Sequence, residues 1–284
     1  MWNVIGHEKN KKYFETVLKN GGLSHAYIFS GPEMIGKKKF AEDLYKLINR
    51  RDELKDSDMD IRLIFPKLAE DETKIYIEDI RTIKAFLSLK PVVGPYKFVI
   101  IDDAHRLTPE SSNALLKVLE EPPPSSILVL VTSAPSLLPQ TIISRCQPVN
   151  FLPDKRAAAT FISSKKLRKS DDEFLMKMAN GRIGWASRLI ESEKINEAIK
   201  LSSDLSNLLK EGIFERLIYA KKLFEAKSYP VAVDYWIEWL HSSLQERFPI
   251  KNGVVLKELL KLRNIISQPQ FNHRLALENF LINL

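Results

Sequence analysis

Phe98-Val-Ile-Ile-Asp-Asp-Ala-His-Arg-Leu-Thr108 decides how the rest of the chain is read. Four apolar residues run straight into two carboxylates. An unbroken run of that length fits a strand buried on both faces, as in a parallel sheet. Asp102 and Asp103 then fall at its C-terminal end, where open α/β sheets hold their ligands. Upstream, His25-Ala-Tyr-Ile-Phe-Ser30 reads as a second buried strand, and Lys38 to Asn49 as a helix. Between them lies Gly31-Pro-Glu-Met-Ile-Gly36-Lys37. Strand, glycine-bounded loop and helix form the setting of a phosphate loop. The order of these pieces points to a nucleoside-triphosphatase module.

The chemistry of that loop is specific. Gly31 and Gly36 let backbone N–H groups face phosphate oxygens, Pro32 lies between them, Lys37 reaches the terminal phosphates, and the helix adds its positive end. The last slot, where a hydroxyl would hold Mg²⁺, is Lys38. An ammonium has no lone pair to offer a cation. A weak phosphate cradle and an empty glycine-rich turn both remain open. Asp102-Asp103 takes the place where one carboxylate positions the metal and a following glutamate orients the attacking water. The second acid here is one methylene shorter, and small misplacements are costly to catalysis.

Further outward, Ile61 to Phe65 predicts a strand and Ile75 to Lys90 a helix, with Ile80, Ile83, Phe86 and Leu87 on one face. Arg50 to Asp60 reads as a charged, solvated connection, and Pro91 to Tyr96 as a turn. Thr108 is an N-cap, Pro109 fits the first helical position, and Pro122-Pro-Pro ends that helix. Ile127 to Thr132 and Val149 to Leu152 complete the strands, with a short turn or helix over Leu137 to Ile143. The entry, residues 2–20, reads as helical and stops at Gly21-Gly22. Strands and helices thus alternate as a wound α/β domain. After Pro153 only helical spacing recurs, punctuated at Asn180-Gly181, Gly184, Gly212, Pro230, Pro249 and Gln268-Pro269. The division expected is 1–153 for the α/β domain, 154–195 for a small helical lid and 196–284 for a second helical domain.

Composition narrows the function classes. The 284 residues suit about two domains, and the net charge of +7 comes from interleaved charges rather than a basic stripe. No apolar run approaches the roughly 20 residues of a membrane span, and no signal peptide opens the chain. The single cysteine, Cys146, excludes an internal disulfide and a cysteine zinc cluster. The expectation is a soluble, cytoplasmic protein. Cys146 has no histidine partner in sequence and reads as a packed residue. His25, His105, Trp185, Trp236 and Trp239 read as packing groups.

Lys97-Phe-Val-Ile-Ile-Asp-Asp-Ala-His-Arg-Leu, Asn113-Ala-Leu-Leu-Lys-Val-Leu-Glu-Glu-Pro-Pro, Thr132-Ser-Ala-Pro and Ser144-Arg-Cys follow one another in an order that resembles the clamp-loader AAA+ family, gamma/tau-related and closest to its delta-prime branch. The resemblance covers residues 1 to about 190. It implies an AAA+ P-loop domain, a helical lid and a helical collar. It implies a subunit of a DNA replication hetero-oligomer, the DNA polymerase III clamp loader, with gamma/tau and delta subunits, the sliding clamp and primed DNA as partners and no membrane. It implies that Arg145 is an arginine finger for a neighbouring subunit's ATP, and that Thr132 and Ser133 stand at the sensor 1 position. At the sensor 2 position, where motor subunits carry an arginine before an acidic-alanine pair, this chain has Gly184-Trp185-Ala186, with Arg182 and Arg188 out of register. Many relatives carry a four-cysteine zinc module where this chain has Arg50 to Asp60, so zinc is not expected. ATP binding is expected to be weak or absent, with no independent ATPase activity. The alternatives are a gamma/tau-like motor that hydrolyses ATP itself, and a repair or recombination AAA+ protein. The Ser-Arg-Cys turn and the helical tail argue against the last.

Overall fold

A computed structural model describes residues 2–55, 57–69, 72–244 and 250–284. By contacts it forms two compact units: Met1–Phe161 with Gly181–Trp185, and Ile162–Asn180 with Ala186–Leu284.

The first unit is built on a five-stranded sheet. In chain order its elements are α1 (Glu8–Lys19), β1 (Ala26–Ser30), α2 (Lys37–Ile48), β2 (Ile61–Ile64), β3 (Lys67–Ala69), β4 (Glu72–Lys74), α3 (Ile77–Leu87), β5 (Lys97–Ile101), α4 (Pro109–Glu120), β6 (Ser126–Thr132), α5 (Gln140–Ile143) and β7 (Gln147–Asn150). The sheet order is β2-β5-β6-β1-β7, and each neighbouring pair is parallel. Successive residues of β5 face opposite layers, as strand geometry requires. Phe98 and Ile100 pack with Tyr27, Phe29, Phe14 of α1 and Phe40 of α2. Val99 and Ile101 pack with Ile28, Leu128, Ile80 of α3 and Leu115 of α4. All five β5 residues are buried, which explains the absence of polar alternation.

The predicted elements recur with shifted ends, and three features differ from expectation. The entry helix begins only at Glu8. Gly6 and His7 have φ of 78° and 62°, a left-handed turn that no helix continues through. The preceding residues run across α2 instead, where Oδ2 of the buried Asp43 accepts the N–H groups of Asn3 and Val4, both at 2.6 Å. A small antiparallel hairpin, β3 with β4, joins β2 to α3. Its strands are three residues each, too short and polar to register as a hydrophobic period. The connection ending at Asp60 is not solvated throughout, because Asp58 and Asp60 are buried. Asp60 pairs with Lys97 at 3.0 Å and accepts the N–H groups of Val92, Val93 and Gly94, fixing the turn before β5.

The cap of α4 is as predicted. Thr108 Oγ1 accepts the Ser111 N–H at 3.2 Å, and the Ser111 hydroxyl donates to the Ile75 carbonyl at 2.7 Å. Thr108→Ala is expected to lower stability by about 1 kcal/mol, read from a urea midpoint, because it orphans a donor of the first turn.

The remaining elements are helices: α6 (Lys155–Ser164), α7 (Lys169–Ala179), α8 (Ile183–Glu191), α9 (Ile195–Leu208), α10 (Ile213–Glu225), α11 (Tyr229–Leu244), α12 (Ile250–Ile266) and α13 (His273–Ile282). Gly212 immediately precedes α10. Pro230 sits in the first turn of α11, where its missing N–H costs nothing. Pro249 lies outside the described residues. Helices α9 to α13 share one core around Trp236, which is fully buried and donates its indole N–H to the Leu201 carbonyl at 2.8 Å. No helix among the described residues is long and apolar enough to cross a membrane.

Candidate functional site

Strand order places the candidate residues. β6 lies between β1 and β5, so the loop after β1, the acids after β5 and the end of β6 emerge side by side. Ser30 pairs with Thr132 across β1 and β6, and Ile101 pairs with Leu130 across β5 and β6. Gly31, Pro32, Gly36, Lys37, Asp102, Asp103, Thr132 and Ser133 therefore gather at one edge of the sheet. Arg145, after α5, does not join them through any recorded contact of its side chain.

The loop is held from three sides. Gly31, at φ 148°, lies so close to the Phe151 carbonyl that a Cβ would overlap it. His7 Nε2 donates to the Ile35 carbonyl at 2.7 Å, and its ring meets Phe151 edge-on. Burial lowers the pKa of His7, although the Ile35 bond and Asp154 favour the charged form. Gly184, in the first turn of α8, donates its N–H to the Met34 carbonyl at 2.7 Å. A Cβ on Gly184 would sit 2.6 Å from that oxygen. Residue 184 thus meets the loop backbone to backbone. Gly184→Ala is expected to destabilise the chain by roughly 1–3 kcal/mol through overpacking, measured by denaturant unfolding. His7, Asp43 and the role of residue 184 as spacer were not evident from sequence. A lone histidine and a helical aspartate carry no periodic signal; their partners lie 28 and 39 residues away.

Lys37 is buried, and its ammonium donates to the carbonyls of Gly31 and Pro32 at 2.7 and 2.6 Å. Burial lowers its pKa against Asp102, Glu33 and Asp103, which favour the charge. Lys38 projects elsewhere. Its Nζ lies 3.8 Å from Glu42 and 4.4 Å from the centroid of the Phe65 ring. Asp102 follows the β5–β2 pairing, with its N–H on the Ile64 carbonyl at 2.9 Å. Burial and then the neighbouring Asp103 raise its pKa, while Lys38 and Lys37 lower it. Asp103 is in the left-handed region at φ 47° and stands 3.8 Å from Arg106.

Thr132 is fully buried. Its Oγ1 accepts the Ala134 N–H at 3.1 Å and lies 3.2 Å from His105 Nδ1, so its hydroxyl is engaged on both sides. His105 thus has a polar partner beyond the packing role read from sequence. Ser133 donates to Glu33 at 3.4 Å. The Mg²⁺ implied by a P-loop does not fit these residues. Position 38 supplies a cation instead of the oxygen ligand such an ion takes there.

Arg145 lies on the surface. Its side chain is 37% exposed. One terminal nitrogen donates to Glu120 at 2.8 Å and the other to the Thr141 carbonyl at 3.0 Å. Cys146 is buried beside it, and burial pushes its thiol up to about 12, which leaves an inert packed group. Arg182 lies 5.9 Å from the Trp185 ring centroid, and the charge of Arg188 bears on Asp234 and Tyr235 of α11.

The fold recurs in known proteins. The solved structure of a DNA polymerase III gamma subunit-related protein from Thermotoga maritima has the same fold, with a TM-score of 0.61 and 22% identity over 94% of this chain and 97% of that one. DNA polymerase III subunit tau of Bacillus subtilis is 36% identical over 159 residues, 52% of this chain and 28% of that protein. Subunit tau of Escherichia coli is 34% identical over 154 residues, 51% of this chain and 24% of that protein. The chain spans about a quarter of the length of these curated relatives. Residues 6–155, which hold the loop, the paired acids and Arg145, match the family described as DNA polymerase III, delta subunit, and the chain belongs to that family.

Proposed function

We propose that this chain is a delta-prime-type subunit of the DNA polymerase III clamp loader, a hetero-oligomer that loads the sliding clamp on primed DNA in replication. It assembles with gamma/tau and delta subunits in the cytoplasm and lends Arg145 to the ATP site of its neighbour. The observation that carries this reading is the contrast between two cations. Lys37, the chain's own phosphate-reaching group, is turned onto the carbonyls of its own loop. Arg145 is partly exposed at the surface, where it meets a surface carboxylate and one carbonyl. An exposed ion pair of that kind is worth about 0–1 kcal/mol, so the guanidinium can exchange Glu120 for a phosphate at small cost. Residues 1–153 supply the nucleotide-binding-like domain, 154–195 the lid and 196–284 the collar that carries assembly contacts.

A gamma/tau-like motor is the second reading. Lys37 and Asp102 and the similarity to tau subunits favour it; Lys38, Asp103 and Gly184 oppose it. Purified protein separates the two. On the delta-prime reading it shows no sustained Mg²⁺-dependent ATP turnover, yet it co-assembles with gamma/tau subunits. Robust turnover by the isolated chain would establish the motor instead.

A further inference from the structure

The charges of α1 alternate in sequence, but the helix sorts them. Lys9, Lys12, Tyr13, Thr16 and Lys19 recur at intervals of three and four, so they share one face, and all five are exposed. The opposite face carries the buried Phe14 and the half-buried Leu18, which lie in the same core as Tyr27 and Phe29 of β1. Both glutamates of the helix are drawn off the exposed face. Glu8 pairs with Lys11 at 2.8 Å, and Glu15 accepts the Trp2 indole N–H at 2.9 Å. No carboxylate among the described residues pairs with Lys9, Lys12 or Lys19. By contrast Lys38, Lys221 and Lys261 each meet a glutamate within a turn of their own helix. Tyr13 stands between the unpaired lysines, 39% exposed, with its ring steeply inclined to that of Phe14 at 5.1 Å between centroids. Contact with a buried ring holds Tyr13 in place while more than a third of it stays in water.

A row of ammonium groups with no acid beside them attracts a polyanion. An exposed aromatic ring set in that row favours a polyanion that carries flat, unstacked bases. We infer that the outer face of α1 binds single-stranded DNA, with Lys9, Lys12 and Lys19 on the phosphates and Tyr13 stacked on a base. From Lys9 to Lys19 the row is about 15 Å long, so it engages a few nucleotides and holds them weakly by itself. A duplex presents the same phosphates but keeps its bases stacked inside, and it gains nothing from Tyr13. The contact belongs to the chain itself and uses neither the glycine-bounded loop nor Arg145, so its failure leaves the delta-prime reading standing.

The test is fluorescence anisotropy of a labelled oligothymidine of about 20 nucleotides, longer than one such site, titrated with the purified full chain. Potassium chloride is varied from about 50 to about 200 mM, where phosphate contacts show as a slope of log affinity on log salt. Lys9→Ala, Lys12→Ala and Lys19→Ala combined should make that slope shallower by about 2, at roughly 0.7 per lost contact on a single strand. Tyr13→Ala should keep the slope but weaken binding about fivefold or more, the scale of one stacked base. It should leave binding of a duplex of the same length unchanged, and Tyr13→Phe should bind as wild type does. All of these side chains are exposed, so the variants should fold, which circular dichroism checks. Removing three exposed lysines of the second unit, Lys194, Lys200 and Lys210, serves as the charge-matched control and should change neither slope nor affinity. The inference is overturned by absence of wild-type binding at low salt, by a triple variant that binds like wild type, or by a control that loses as much. Single-strand binding indifferent to Tyr13→Ala overturns it too, as does displacement by polyglutamate as readily as by unlabelled oligothymidine, which would mark a face for acidic polypeptide instead.

Discussion

Replacing Arg145 by alanine is expected, on the proposed delta-prime reading, to leave the subunit folded and assembled but to slow ATP hydrolysis at the neighbouring subunit's site by roughly a thousandfold or more, the scale of arginine fingers supplied in trans. The fold tolerates the change because the side chain's own contacts are superficial: Glu120 at 2.8 Å and the Thr141 carbonyl at 3.0 Å. Hydrolysis is expected not to tolerate it, because charge develops on the transferring phosphoryl group and a guanidinium lent by Arg145 would stabilise that charge. Arg145→Lys should restore little, since an ammonium lacks the planar fork. The measurement is clamp-stimulated hydrolysis by the reconstituted complex, with assembly checked by gel filtration. Equal rates for wild type and Arg145→Ala would remove the finger role while leaving family membership untouched.

The second large effect is on stability. Asp60→Ala is expected to destabilise the chain by roughly 3–5 kcal/mol, the cost of breaking a buried pair and leaving its partner uncompensated. Asp60 is fully buried, and its carboxylate meets Lys97 at 3.0 Å and the N–H groups of Val92, Val93 and Gly94 at 2.7–3.1 Å. Removing it orphans the Lys97 ammonium and three donors at once. The turn that aims β5 toward Asp102 is then no longer held. Burial alone would raise the pKa of Asp60, but the backbone donors and Lys97 outweigh it and hold the carboxyl below its ordinary value. The stabilisation is therefore fully present above the unfolded carboxylate value of about 3.9 and is lost as pH falls through the lower folded value. Urea midpoints from neutral pH into the acid range should show that slope in wild type and a weaker one in Asp60→Asn. A variant as stable as wild type would show that the turn is held by other contacts.

Much of the fold was legible because it rests on local signals. The β5 run, the glycine-bounded loop and the Thr108 cap each lie within a dozen residues, and each was placed to within two or three residues of its observed ends. The hairpin of β3 and β4 and the start of α1 were not legible. The first is too short for a period, and the second is ended by left-handed backbone at Gly6 and His7, imposed by the loop and α2 they pack against. The solvated reading of residues 50–60 failed for a related reason. An aspartate in a charged stretch looks like surface until its partners, 32 to 37 residues on, are brought to it.

The sequence by itself determined the wound α/β class, the family resemblance and the replacement of the metal-binding hydroxyl by Lys38, because patterning and motif order are properties of the chain alone. Only the tertiary structure decided where the cations point. Lys37 turns onto its own loop, Lys38 lies against Glu42 and the Phe65 ring, and Arg145 stays at the surface. Side-chain direction depends on which carbonyls and carboxylates distant segments deliver, and no local pattern encodes that delivery.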